Sequence, residues 1–327
     1  MTPATERAEL TERLALFDEL AAERGIMVEF DAALGPLTTL RVGGVADQLT
    51  EVRTAYQLVA ALELARTAGV PAGVLGKGSD IVVADAGVRG LVIRNRADAL
   101  EIDGESVKAA SGVAMATLVK RCTAAGLAGI EFGISIPGSV GGAVWANAGA
   151  HGGEMKDVVV TVEAWSPDVG ARTLPNAACG FTYRDSRFKV GGEIVLGTAI
   201  RLTDGDVEEI GARVAANQAQ RKATQPLADQ NAGSVFRNPP DDHAGRLIDA
   251  AGLKGFRIGS AHVSTLHANF IVVDRGGSAA DVRAVGDHVR AALADATGIV
   301  LEYEIEFVGD WGATEGWATS TGRLAGT

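Results

Sequence analysis

Between Gly129 and Gly153 the chain carries eight glycines in 25 positions, interleaved with Ile, Val, Ala and Trp rather than with the polar residues of a linker. Glycine loses more backbone freedom on folding than any other residue, so a stretch this glycine-dense yet apolar is costly to order. A tight β-crossover would account for it, and so would a large ligand lying against the main chain. A second loop, Gly76-Lys77-Gly78-Ser79-Asp80, favours the ligand. It joins one β-like run, 70–75, to another, 81–84, and its closely spaced N–H groups can form a concave nest for a pyrophosphate, with Ser79 adding a donor. No helix follows the loop, which excludes the Rossmann and Walker arrangements.

The rest of the pattern is mixed. Leu10, Leu14, Phe17 and Ala21 fall at helical spacing ahead of Gly25, predicting an N-terminal helix within 1–25. Thr54 caps a second helix that runs through Tyr56, Val59 and Leu62 to Gly69. Further β-like runs at 91–93, 158–165 and 194–202 flank a helix near 114–125, so the first two-thirds reads as α+β. Val207, Ile210 and Val214 mark a helix ending near Lys222, and the last domain boundary is placed near residue 205. Beyond it come a short helix around Leu247 and Ile248, a strand at 270–273, and a helix capped by Ser278 with Val282, Val285, Val289 and Leu293 on one face. An alternating, half-buried strand is expected over 299–308, and 310–327, aperiodic and rich in Gly, Ala and Thr, reads as a mobile tail.

A hydrophobic fraction of 47% and a charged fraction of 22% predict a folded soluble protein. A net charge of -11 argues against a nucleic-acid surface or an anionic-membrane patch, though nucleotides can still be held by local amides and a few cations. Cys122 and Cys179 are too few for a disulfide framework, the histidines stand far from any Cys cluster, and no signal-like or long apolar segment occurs. The expectation is a cytoplasmic protein that binds no metal, works away from membranes and is a monomer.

Both glycine loops and several later blocks together resemble the UDP-N-acetylenolpyruvoylglucosamine reductase, or MurB, family. The blocks are Thr38 to Gly44, Phe181-Thr182-Tyr183-Arg184-Asp185-Ser186, Ala232-Gly233-Ser234-Val235-Phe236-Arg237-Asn238-Pro239, and Ala251 to Gly255 through His267-Ala268-Asn269-Phe270. They occur in family order over roughly residues 26–309. The resemblance implies a two-lobed FAD-binding domain of the vanillyl-alcohol-oxidase (PCMH) type, an α+β fold over 26–205 with lobes at about 26–95 and 96–205. A smaller α+β substrate domain would follow at 206–309. FAD would be noncovalent and NADPH the hydride donor. Gly76, Lys77, Gly78, Ser79, Asp80, Pro137, Gly138, Ser139, Gly141 and Gly142 would line the cofactor, with Asn147 and Gly149 nearby. Asp80 departs from the Asn common in the family and sets a formal negative charge beside an anionic ligand.

The implied reaction reduces the enolpyruvyl double bond of a UDP-sugar. Arg184 would stabilise charge drawn onto the substrate carboxylate, Ser234 would give the proton, and Glu304 would assist. Alternation places Glu302, Glu304 and Glu306 on one strand face and does not choose among them; only the motif favours Glu304. Tyr183, Asn238, Lys254, His267 and Asn269 are the candidates for substrate contact or for ordering that domain. No added stretch with a prominent tyrosine lies between Arg201 and Ser234, as in the shorter second type of the family. Two other readings stay open: a flavin oxidase of small alcohols or hydroxy acids on the same fold, and a catalytically silent nucleotide-sugar binding protein.

Overall fold

The computed structural model describes residues 3–312. Local chemistry sets the first elements. Thr54 Oγ1 accepts the Gln57 N–H at the start of the helix Ala55–Ala68, and Gly69 closes it in the left-handed region at φ 67°. This helix and Pro3–Glu23 cover one face of a four-stranded sheet in the order Glu29–Ala33, Val45–Val52, Val88–Asn95, Ala72–Leu75. The last three strands are parallel, and Val88–Asn95, flanked on both sides and covered on both faces, is almost continuously buried.

The second lobe is an antiparallel five-stranded sheet in the order Gly170–Pro175, Val159–Ser166, Ile194–Arg201, Ser106–Ala110, Leu100–Asp103. Its core, which includes Val107, Val162 and Ile200, takes Leu118 and Val119 from the helix Met115–Ala124 and Val140 and Val144 from the short helix Val140–Trp145.

The helix Val207–Thr224 follows the expected boundary near 205, yet Val214 packs against this second-lobe core and Ile210 is fully buried. By its contacts the helix is a buttress of the second lobe. The third unit begins beyond it: a small antiparallel sheet, Gln230–Asn231, Ile271–Val273, Ala261–Val263, Arg257–Ile258, covered by the helices Ala244–Ala250 and Ala279–Thr297. Ser278 Oγ accepts the Asp281 N–H, and Val282, Val285, Val289 and Leu293 are all buried, as their spacing requires.

The continuous strand expected over 299–308 is not formed. Its ladder is confined to Glu306–Val308, which pairs in parallel with Ile81–Val83 of the first lobe. The residues just before it pair elsewhere: Arg237 N–H donates to Glu302 O at 2.9 Å and Glu304 N–H to Val235 O at 2.8 Å, with a single bridge between Phe236 and Tyr303. One extended segment is thus stitched first to the Ser234 loop and then to the strand leaving the first glycine loop. The tail expected over 310–327 lies outside the described residues from 313 onward; Trp311 Nε1 donates to Val308 O at 3.1 Å.

Candidate active site

The two glycine loops meet. A Cβ on Gly76 would stand 2.6 Å from Ser139 Oγ, and one on Gly78, at φ 60°, would stand 2.7 Å from Leu37 O. These glycines allow the loops to close on each other and on the Thr38 block. Around the junction lies a cavity of about 800 Å³, within the range of ligand pockets. Gly76, Lys77, Gly78, Ser79 and Asp80 line it from the first lobe, and Pro137, Gly138, Ser139, Gly141, Gly142 and Gly149 from the second.

Asn147 does not line it. Wholly buried at φ 42°, it donates from Nδ2 to Glu154 Oε2 and Thr182 O and accepts the Lys156 N–H on Oδ1. Its amide ties the Gly149 turn to the segment that carries Arg184, so its side chain is spent on protein.

The residues fit a flavin dinucleotide. Gly142 is exposed to the cavity, and a Cβ there would meet only Ser139 Oγ, at 3.6 Å; at Gly138 it would meet only Ser79 Oγ, at 3.3 Å. Packing within the protein does not demand glycine at either place, whereas a ligand approaching the main chain does. The Trp145 side chain lines the cavity, and its Nε1 is buried without a hydrogen-bond partner among the described residues.

Three residues expected to carry the chemistry, from three parts of the chain, line this one cavity: Arg184, Ser234 and Glu304. Arg184 takes a left-handed backbone, φ 53°, a strain of roughly 1–3 kcal/mol for a non-glycine residue. Its Nε donates to Glu304 Oε1 at 3.0 Å and its Nη2 to Gly149 O at 2.7 Å, with the guanidinium 5.1 Å above the Tyr183 ring. Ser234 sits in a loop clamped by Asn269: Asn269 O accepts the Val235 N–H, Oδ1 accepts the Phe236 N–H, and Nδ2 donates to Phe236 O at 2.8 Å.

Strand pairing narrows what alternation left open. Glu302 is exposed, while Glu304 and Glu306 both reach the cavity, beside Asp80. Burial pushes all three of these last carboxyls above the ordinary carboxylate range; Arg184 opposes this at Glu304, and Lys189 opposes it at Asp80 and Glu306. Asp80 is partly accessible only because it faces the cavity.

The substrate candidates divide. Tyr183 and Asn238 line a second cavity, of about 520 Å³, with Arg237, Pro239, Pro240 and Leu301. Lys254, His267 and Asn269 line neither cavity. Lys254 pairs with Asp249 at 2.7 Å; His267 accepts the Asn269 N–H on Nδ1 and packs edge-on to Phe270, its pKa lowered first by burial. All three are engaged within the third unit.

Sequence reasoning missed one wall. Asn217, Gln220, Arg221, Thr224 and Gln225 line the main cavity from the helix Val207–Thr224 and its end, at the spacing of a single helical face. The available signal was that the face begun by Val207, Ile210 and Val214 runs on at the same spacing through polar residues. Lys189, Glu193 and the hydrogen-bonded pair Ser135 and His151, 2.7 Å apart, line it as well. Among the described residues no group of three His, Cys, Asp or Glu is placed to hold a metal ion.

Comparison with known proteins agrees with this geometry. Residues 46–171 match the family model described as FAD binding domain, and residues 225–308 match the one described as UDP-N-acetylenolpyruvoylglucosamine reductase, C-terminal domain. The UDP-N-acetylenolpyruvoylglucosamine reductase of Anaeromyxobacter dehalogenans (strain 2CP-C) is 44% identical over 86% of this chain and 85% of its own length. The protein of that name from Moorella thermoacetica is 42% identical over 90% of this chain and 98% of its own. Among solved structures, the UDP-N-acetylenolpyruvylglucosamine reductase (MurB) of Thermus caldophilus superposes with a TM-score of 0.75 at 36% identity, over 86% of this chain and 99% of that one.

Proposed function

Since the chain belongs to the UDP-N-acetylenolpyruvoylglucosamine reductase family, we propose that the main cavity holds FAD and that Arg184, Ser234 and Glu304 act on the enolpyruvyl group beside it. The enzyme is an FAD oxidoreductase that converts UDP-N-acetylglucosamine enolpyruvate to UDP-N-acetylmuramate with NADPH, a step of peptidoglycan precursor synthesis. The observation that carries the residue assignment is the convergence of those three side chains on one glycine-lined cavity.

Bound flavin supplies a hydride relay from NADPH to the substrate double bond. The residues handle the charge and the proton. As the π bond breaks, the distal carbon gains hydride and the electron pair moves toward the carboxylate, where the Arg184 guanidinium meets it. The Ser234 hydroxyl then gives its proton to the adjacent carbon, and solvent restores that hydroxyl, so the turnover consumes one NADPH and one proton. Glu304 fixes the guanidinium through Nε, and Gly149 O fixes it through Nη2, so little ordering remains when substrate arrives.

The second cavity seats the UDP-sugar in this reading, with Tyr183 and Asn238 at its edge. Arg237 supports that role, because it lines this cavity and its Nη1 is only loosely engaged, 3.9 Å from the exposed Glu302. Among those residues no helix is long and apolar enough to cross a membrane. A monomer working in the cytoplasm, without nucleic acid, completes the proposal; both cysteines are free and buried.

The test is spectroscopic. Purified protein is expected to be yellow, to bleach anaerobically with NADPH and to recover colour when the enolpyruvyl UDP-sugar is added. Protein that takes up no FAD would sink the proposal. Bleaching without recovery would leave a flavoprotein but remove the substrate.

A further inference from the structure

Lys189 belongs to none of the site motifs, yet its placement is unusual. Its side chain is 9% exposed and lines the main cavity. The nearest carboxylate oxygen, Glu306 Oε1, is 3.6 Å from Nζ, an ion-pair distance too long for a hydrogen bond, and the Trp145 ring lies beneath it at 4.2 Å. An ammonium has three N–H donors, and burying them without acceptors is costly.

The surroundings hold it there. Ser186 Oγ caps the turn Arg187–Lys189 by accepting the Phe188 N–H and also donates to Trp145 O at 2.6 Å, while Phe188 is fully buried. The Lys189 turn and the Trp145 backbone are therefore fixed to each other, and the ammonium faces the cavity with Glu306 as its one ion-pair partner among the described residues and N–H donors to spare.

Charge identifies the acceptor. Lys77 and Arg221 also line the wall, and Glu193 is paired with Arg172 and Arg187, but the cations that act on the cluster Asp80, Glu304 and Glu306 are chiefly Arg184 and Lys189, and Arg184 already serves Glu304 and Gly149 O. Resting on the flavoenzyme reading above, the argument needs only elementary chemistry: accepting a hydride without a proton makes an isoalloxazine one charge more negative. Beside three carboxylates that charge disfavours reduction unless a cation meets it. We infer that Lys189 is the positioning cation that offsets it, donating from Nζ toward a ring acceptor and thereby setting the reduction potential of the bound FAD. The substrate carboxylate is the competing acceptor for the same donors.

The experiment is an anaerobic redox titration of the holoenzyme against a reference dye, alongside the FAD dissociation constant and the KM for the enolpyruvyl sugar. Lys189→Gln is expected to shift the reduced-to-oxidised ratio about tenfold toward oxidised, about 30 mV for a two-electron couple, with oxidised FAD bound as before and Lys189→Arg restoring most of the shift. Glu306→Gln keeps the lysine and removes a competing charge, so its potential should move the other way; this arm stands even if the lysine variant fails to retain FAD. An unchanged potential in Glu306→Gln, or in Lys189→Gln with only KM raised, overturns the inference in favour of packing or of the substrate carboxylate. Wild-type protein that binds no FAD would instead refute the functional reading on which this one stands.

Discussion

Gly142→Ala separates what glycine does for the fold from what it does for the ligand. The residue lies within the helix Val140–Trp145, where replacing glycine by alanine is worth up to about 1 kcal/mol of helix propensity. The new methyl would touch only Ser139 Oγ, at 3.6 Å, an ordinary contact, so no clash subtracts from that gain. Unfolding of the apoprotein in urea should therefore show unchanged or slightly raised stability. The same methyl enters the cavity, where an added carbon against a close-fitting ligand costs about 1–3 kcal/mol, or roughly 5- to 150-fold in the dissociation constant for FAD. Quenching of FAD fluorescence during titration of apoprotein measures it. Stability and affinity should move in opposite directions; wild-type affinity, or a loss of affinity that merely tracks a loss of stability, would refute the reasoning.

Other outcomes follow from the same geometry. Asn269→Ala leaves the Phe236 N–H and C=O buried without their side-chain partners, so stability should fall by roughly 2–4 kcal/mol, read as a lower urea midpoint at unchanged slope. Ser234→Ala should leave bleaching by NADPH intact and slow recovery by substrate roughly 10²-fold in stopped flow; equal slowing of both half-reactions would remove Ser234 as the proton donor. Asp80 has its pKa raised in the folded state, so its contribution to stability is fully present below the unfolded pKa and is lost as pH rises through the folded one. Asp80→Asn apoprotein should accordingly gain on wild type in unfolding free energy as pH rises from about 4, the unfolded range, through the folded pKa, and a gap that narrows as pH rises from there would contradict the account.

What could be read in advance was what depends on neighbours in the chain. The caps at Thr54 and Ser278 and the buried face of Val282, Val285, Val289 and Leu293 are set within a few residues, and they formed where spacing placed them. The glycine loops were legible for a related reason, since their composition has no economical explanation without close approach. Choosing among Glu302, Glu304 and Glu306 depended on pairing with distant segments, 235–237 and 81–83, which no period in 299–308 encodes. Asn147 and Asn269 belong to motif blocks but spend their amides on backbone, and a motif does not say whether a polar side chain faces ligand or protein. The cavity stripe from Asn217 to Gln225 escaped notice because a polar turn at a helix end is ordinarily solvated, although it prolongs the face that Val207, Ile210 and Val214 begin.

The parallel pairing of Glu306–Val308 with Ile81–Val83 bears on how such a molecule assembles. Both glycine loops are made before the third unit, whereas Glu304 and Glu306, which share their cavity, emerge only after it has been translated. Glu304 and Glu306 thus take their places on the cavity wall only when that remote strand pair closes, a contact that bridges most of the chain and is slow for that reason.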